Sequence, residues 1–306
     1  MTIAPSSSVA ADNGRLMRLA TYASVSVALT LITLKVVAYV MTDSVSMLST
    51  LIDSLLDTVA SVINLFAVRA ALTPADKEHR FGHGKAEPLA AMGQSAFIGG
   101  SAVFLLVEAG NRLFNPSPIQ NTELGIVVMV ISIAATVALV IFQRRVIQRT
   151  GSVAIKADSL HYLGDFFVNC AVIVSLLLWR QFNWAFIDPV FAVAIAAYIL
   201  FTAWQVAQTS LDLLMDRELP DSARRKIRDI ALAHGEVRDI HDLRTRSSGQ
   251  ATFIQFHLEL DGNTLLSRAH TVSDEVEDAI LVAFPGAEVI IHQDPAGLVE
   301  NRPRFA

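Results

Sequence analysis

Cysteine, charge and basic runs are all scarce in this chain. Cys170 is its only cysteine, which excludes an internal disulfide and a thiolate metal cluster. Set among apolar residues, it reads as a buried, inert thiol. Charged residues are 17% of the chain and hydrophobic ones 53%, whereas an ordinary soluble domain carries about 25% charged residues. The formal charge of −5 offers no basic footprint for nucleic acid. No HExxH motif is present, and no second general base is apparent, which argues against an intramembrane metalloenzyme. The first apolar segment is long enough to span a bilayer rather than to serve as a short h-region, so no cleavable signal peptide is expected. Residues 1–15 are polar and rich in Ser and Ala, and read as a mobile tail.

Apolar length is what the chain does have. Six segments, about 18–41, 46–70, 88–112, 123–145, 158–180 and 186–208, each approach the roughly 20 residues that cross a bilayer as a helix. Lys and Arg outside them are unevenly placed. Arg15, Arg18, Arg69, Lys77, Arg80, Lys85, Arg144, Arg145, Arg149 and Lys156 fall on one side, against Arg112 and Arg180 on the other. The positive-inside rule then puts both termini in the cytoplasm. Lys35, inside the first span, reads as a side chain that snorkels or pairs with a carboxylate.

Two pairs of polar residues interrupt the apolar runs at helical spacing: Asp53 and Asp57 in IDSLLDTV, and His161 and Asp165 in HYLGDFF. Residues i and i+4 share a helix face, so each pair points to one place. A carboxylate at mid-membrane costs at least a few kcal/mol, and a divalent cation would offset that. One imidazole nitrogen with three carboxylates is a four-ligand set that suits zinc, and admits Cd²⁺, Fe²⁺, Co²⁺ and Mn²⁺. A sensor that signals only through its tail would not need acids inside its spans.

After about residue 209 the patterning becomes soluble. SARRKIRDIALAHG reads as an amphipathic helix capped by Asp221 or Ser222. VRDIHDLRTRSS, ATFIQFHLELD and AEVIIHQD read as strands, with a hairpin at Ser248-Gly249, and LLSRAHTVSDEVEDAILVAF reads as a second helix ended by Pro285-Gly286. The order is α-β-β-α-β, with both helices on one face of a small sheet. His241, His257 and His292 fall on the three strands, His292 is followed by Asp294, and His270 lies on the second helix. Alternation puts His257 on the more polar face of its strand. In the loop PADKEHRFGHGKAEP, Asp76, His79 and His83 are also spaced as possible ligands, with Gly82 and Gly84 permitting a tight turn. Of the chain's eight histidines, only His234 lies outside these clusters.

Taken together, DxxxD, HxxxD, HRFGHGKAEP, DIHDLRTR, IQFHLEL, RAH and VIIHQDP resemble the cation diffusion facilitator family over about residues 16–295. The resemblance implies a six-helix transmembrane domain (16–209) and a metallochaperone-like cytoplasmic metal-binding dimerisation domain (210–295), between polar tails 1–15 and 296–306. It implies Asp53, Asp57, His161 and Asp165 as the transport site, and Asp76, His79 and His83 as a peripheral site. It implies His241, His257, His270, His292 and Asp294 as a two-zinc site bridged by Asp294. It further implies a dimer-hinge charge pair, Lys85 with Asp216, in a homodimer of the bacterial inner membrane that exchanges Zn²⁺ for protons.

Overall fold

The computed structural model describes residues 6–42, 45–114, 123–182 and 187–297; at some helical positions, Asp53 among them, it describes the backbone alone. The chain divides into two compact units: one spans Asn13–Leu211, and the other runs from Asp212 onward and also takes in the chain up to Asp12.

The first unit is built from six long helices: α1 (Ser6–Thr42), α2 (Val45–Ala71), α3 (Ala86–Phe114), α4 (Glu123–Thr150), α5 (Val153–Phe182) and α6 (Ile187–Leu214). Among the described residues, five stretches are long and apolar enough to cross a membrane: Ala11–Met41, Ser54–Ala71, Ala86–Asn111, Val127–Thr150 and Val190–Leu214. α5 is the sixth long helix of this unit. Its 30 residues measure about 45 Å at about 1.5 Å per residue; Lys156, Asp158 and Asp165 lie in its first half and Arg180 near its end. Helices suit this setting because they satisfy their own backbone. Hydroxyls within them bond back to carbonyls one turn earlier, as Thr30, Thr33, Thr58 and Thr150 do.

α1 begins well before the expected residue 16. The Ser/Ala-rich segment from Ser6 onward is helical rather than a tail, because Ala favours helix irrespective of hydropathy and an adjoining long helix removes the nucleation cost. Met17 and Ala20 of α1 pack with Val68 of α2, Val146 of α4 and Ala154 and Ile155 of α5, while α3 and α6 meet through Ile98, Ala102, Ala196, Ile199 and Ala203. α4 and α5 are joined by a two-residue link. Gly151 takes a left-handed φ of 65° and its N–H reaches Ile147 O at 2.8 Å, closing α4. Ser152 Oγ then accepts from Ile155 N at 3.2 Å and opens α5.

The second unit contains α7 (Asp221–Leu232), β1 (Asp239–Ser248), β2 (Ala251–Leu260), α8 (Leu266–Ala283) and β3 (Glu288–Pro295). The sheet order is β1-β2-β3, antiparallel then parallel. Ile240, Ile254, Phe256, Leu258, Leu260 and Val289 face a core completed by Ile227 and Ala231 of α7 and Val272, Val276 and Ile280 of α8. The N-cap of α7 is Pro220, not Asp221 or Ser222; it caps without a side-chain bond, and Asp221 is the first helical residue. A carboxylate there still complements the helix dipole.

Candidate metal centres

Asp57 lies on α2, and His161 and Asp165 lie one turn apart on α5. His161 Nε2 is 2.9 Å from Asp57 Oδ1 and 3.9 Å from Asp165 Oδ2, with the His161 side chain only 8% exposed. One ligand atom from each of the three residues falls within 4.8 Å of the others. Asp53 is one turn before Asp57 on α2, but its side chain lies outside the described residues. Phe97 and Tyr162 meet the His161 ring edge-on at 6.3 and 5.7 Å. Asn169 Nδ2 donates to Asp165 O at 2.8 Å. The cluster opens onto a cavity of 730 Å³ whose walls also carry Ser54 and Lys35, and Lys35 Nζ donates to Ser54 Oγ at 2.5 Å. α6 approaches α5 closely at Gly164, where a Cβ would come within 3.1 Å of Ile199 Cδ1.

Beside this cluster is a polar knot that the sequence reading passed over. Asp158, Ser24, Gln94 and Gln143 are buried and bonded to one another. Tyr162 Oη donates to Ser24 O at 3.1 Å and shares a hydrogen bond with Ser61 Oγ at 2.9 Å. The available signal was Asp158 itself, an acid one turn before His161 in a segment read as membrane-spanning.

In the loop between α2 and α3, Asp76 Oδ1 accepts from the backbone of Glu78 (2.9 Å) and His79 (2.6 Å). Asp76 Oδ1 is 3.5 Å from His79 Nδ1, and Asp76 Oδ2 is 3.5 Å from His83 Nε2. The backbone N–H of His79, foremost, holds the Asp76 carboxyl below its ordinary value of 3.8. Gly82 makes the turn with φ 75°.

In the second unit, strand register does the gathering. His241 pairs with His257 across β1 and β2, and His257 pairs with His292 across β2 and β3, so the three imidazoles form a row on the face away from the helices. Asp294, 6% exposed, spans the row: Oδ2 is 2.6 Å from His257 Nδ1 and 3.5 Å from His241 Nε2, while Oδ1 is 3.3 Å from His292 Nε2. His257 is on the polar side, as its alternation predicts, yet it is buried at 5% side-chain exposure. Its central strand places it between the other two rings, with centroids 5.0 and 4.6 Å away. Glu259 Oε1, 3.0 Å from His241 Nδ1, is a neighbour the sequence reading did not single out. His270 does not join the row; it lies on α8, 73% exposed, with Asp274 Oδ2 3.6 Å from its Nε2. His234 pairs with Glu275 at 2.7 Å. Asp216, with a left-handed φ of 56°, pairs with Arg246 at 3.4 Å.

Residues 21–215 match the family description "Cation efflux transmembrane domain", and residues 219–296 match "Cation efflux protein, cytoplasmic domain". The chain belongs to the cation efflux family, the cation diffusion facilitators. As a cation efflux protein it is a transporter and not an enzyme. It is 52% identical over 279 residues to the cation-efflux pump FieF of Shewanella oneidensis, covering 91% of this chain and 94% of the relative. It is 47% identical over 287 residues to FieF of Klebsiella pneumoniae, covering 94% and 95%. Among solved structures it is similar to CzrB at 38% identity and a TM-score of 0.25, covering 26% of this chain and 99% of that one.

Proposed function

We propose that this cation efflux protein is a homodimeric metal/proton antiporter of the bacterial inner membrane, with both termini in the cytoplasm and Zn²⁺ as its foremost substrate. The observation that carries this reading is the convergence of Asp57, His161 and Asp165 inside a helical membrane unit. Asp53, one turn along the same helix, completes the four-ligand set. A loaded site is neutralised by its carboxylates. An emptied one leaves acids and an imidazole in a low-dielectric setting, where protons are the substitute cation. Metal and protons therefore compete for the same atoms, and a site that faces each side in turn exchanges one for the other. The imidazole favours Zn²⁺ and Cd²⁺ over harder ions.

Asp76, His79 and His83 form a peripheral site in this reading. The row His241, His257, His292 with Asp294 fits resident zinc: all are borderline or oxygen donors, and Asp294 offers a different oxygen to each side of the row. Its role is structural or regulatory, at the contact between two dimerisation domains (210–295), with His270 supplied by a second copy. The membrane domain is assigned to 16–209, with a C-terminal tail at 296–306, and Lys85 and Asp216 are assigned to the dimer hinge. The reading is tested by zinc flux into proteoliposomes. Asp165→Ala abolishes transport in a folded dimer, and zinc movement at the wild-type rate in that variant shows the site to be misassigned.

A further inference from the structure

Asp158, on α5 one turn before His161, is a second kind of buried acid in the helical unit, 1% exposed. Its carboxylate accepts hydrogen bonds from three other helices: Ser24 Oγ of α1 at 2.5 Å and Gln143 Nε2 of α4 at 2.7 Å on Oδ2, and Gln94 Nε2 of α3 at 3.3 Å on Oδ1. All three donors are neutral. An acid enclosed by uncharged donors costs more to bury than an amide of the same shape, so packing alone is a poor account of it.

Gln143 supplies a second observation. Its Nε2 donates to Asp158 Oδ2 and also to Ser24 Oγ at 2.9 Å. Its Oε1 is buried with no hydrogen-bond partner among the described residues. A carboxylate needs only donors, whereas a carboxylic acid also needs an acceptor for its O–H. Rotating the Gln143 amide by half a turn exchanges Nε2 for Oε1 beside Asp158 Oδ2. That rotation satisfies both the unpaired acceptor and the new O–H. The Asp158 carboxylate therefore has donors for its charged form, and Gln143 holds a waiting acceptor for the neutral form.

Placement is the third observation. Tyr162, bonded to Ser24 and Ser61, lines the cavity of Asp57, His161 and Asp165. Gln94 lines a different cavity of 700 Å³ between α2 and α3, whose walls include Ala70 and Ala86 at the two ends of the Asp76 loop. Asn64, 2% exposed and with neither amide atom hydrogen-bonded among the described residues, also lines that second cavity and gives water a polar foothold. The knot is thus bounded by both spaces. The titratable groups facing it are His161 and Tyr162 of α5, Asp57 of α2 through His161, and Glu87 of α3, which accepts from Ala154 N at 3.4 Å. α1 and α4 present the neutral Ser24 and Gln143, while Arg144, Arg145 and Lys156 are exposed.

We propose that Asp158 binds and releases one proton in each transport cycle, between the metal-site cavity and the loop-end cavity, without ligating the metal. This rests on the antiport reading above. The proton adds to Oδ2, and the resulting O–H donates to the rotated Gln143 Oε1. On release the proton passes to water, the carboxylate is restored, and Gln143 Nε2 donates again; one proton enters and one leaves.

The test measures zinc and proton fluxes together in proteoliposomes of the full chain. Asp158→Asn is expected to keep the zinc affinity of the transport site and to move zinc, but with one proton fewer per zinc and without acceleration by an imposed pH gradient. A wild-type proton count in that variant overturns the inference and leaves antiport standing. Zinc movement without protons in the wild type overturns antiport, and this inference with it. If Asp158→Asn does not move zinc, infrared difference spectra of the zinc-saturated wild type decide. A protonated-carboxyl band should appear on acidification and shift in Gln143→Leu, and its absence rejects the proposal.

Discussion

Replacing His257 with Ala is the most informative single change in the C-terminal unit. The imidazole is buried between two other rings, and its Nδ1 lies 2.6 Å from Asp294 Oδ2. Without it, that oxygen keeps, among the described residues, His241 Nε2 at 3.5 Å. A buried acceptor stripped of its donor costs about 1–3 kcal/mol. In a domain of this size each kcal/mol moves the melting temperature by about 4–8 °C, so a loss of about 2 kcal/mol lowers the metal-free melting point by about 8–16 °C. Zinc adds a second term. An ion bound at the row as proposed would hold His257 and Asp294 together, and at a hundredfold excess over Kd it would stabilise a single site by about 2.7 kcal/mol. The wild-type unit should therefore gain roughly 10–20 °C on adding zinc, and the variant only a small part of that. Thermal melts of the segment from Asp212 onward, with and without zinc, measure both terms. An equal zinc-induced rise in the two proteins, or none in the wild type, refutes the assignment of a metal to this row.

Three further outcomes follow from the same geometry. His161→Asp replaces a borderline nitrogen with a hard oxygen, so competition assays should show preference drifting from Zn²⁺ toward Mn²⁺; an unchanged ratio removes His161 from the ligand set. Lys85→Asp should impair transport and the added Asp216→Lys should restore much of it, unless the two residues are not partners, in which case the double variant is no better than the single. The Asp76 carboxyl is held low, chiefly by the His79 N–H, so the stability it lends the loop is fully present above its ordinary 3.8 and is lost only as pH falls through the lowered value. A carboxyl-carbon NMR titration of Asp76 should give a midpoint below 3.8, and a midpoint at or above it contradicts the loop geometry.

The spanning helices were legible because hydropathy over about 20 residues is a strong, local signal. The i, i+4 pairs were legible because helical periodicity alone aligns them. What local patterning could not supply were properties set by distant partners. Hydropathy treats Ser6 to Arg15 as a tail, although the segment is helical. Alternation assigns His257 to a polar face, but its burial depends on being the middle strand, which the parallel pairing with β3 decides. Asp158 reads as one more polar residue near a helix start; its meaning comes from Ser24, Gln94 and Gln143, which lie 134, 64 and 15 residues away in sequence.

The central claim is that an ion is held between α2 and α5. Anomalous diffraction at the zinc edge, from crystals of the full chain grown with Zn²⁺, locates it directly. A peak bounded by Asp53, Asp57, His161 and Asp165 is expected, with ligand atoms at about 2.0–2.2 Å, and it should be lost in Asp57→Asn. Peaks confined to the Asp76 loop and the His257 row, with none between α2 and α5, would contradict it.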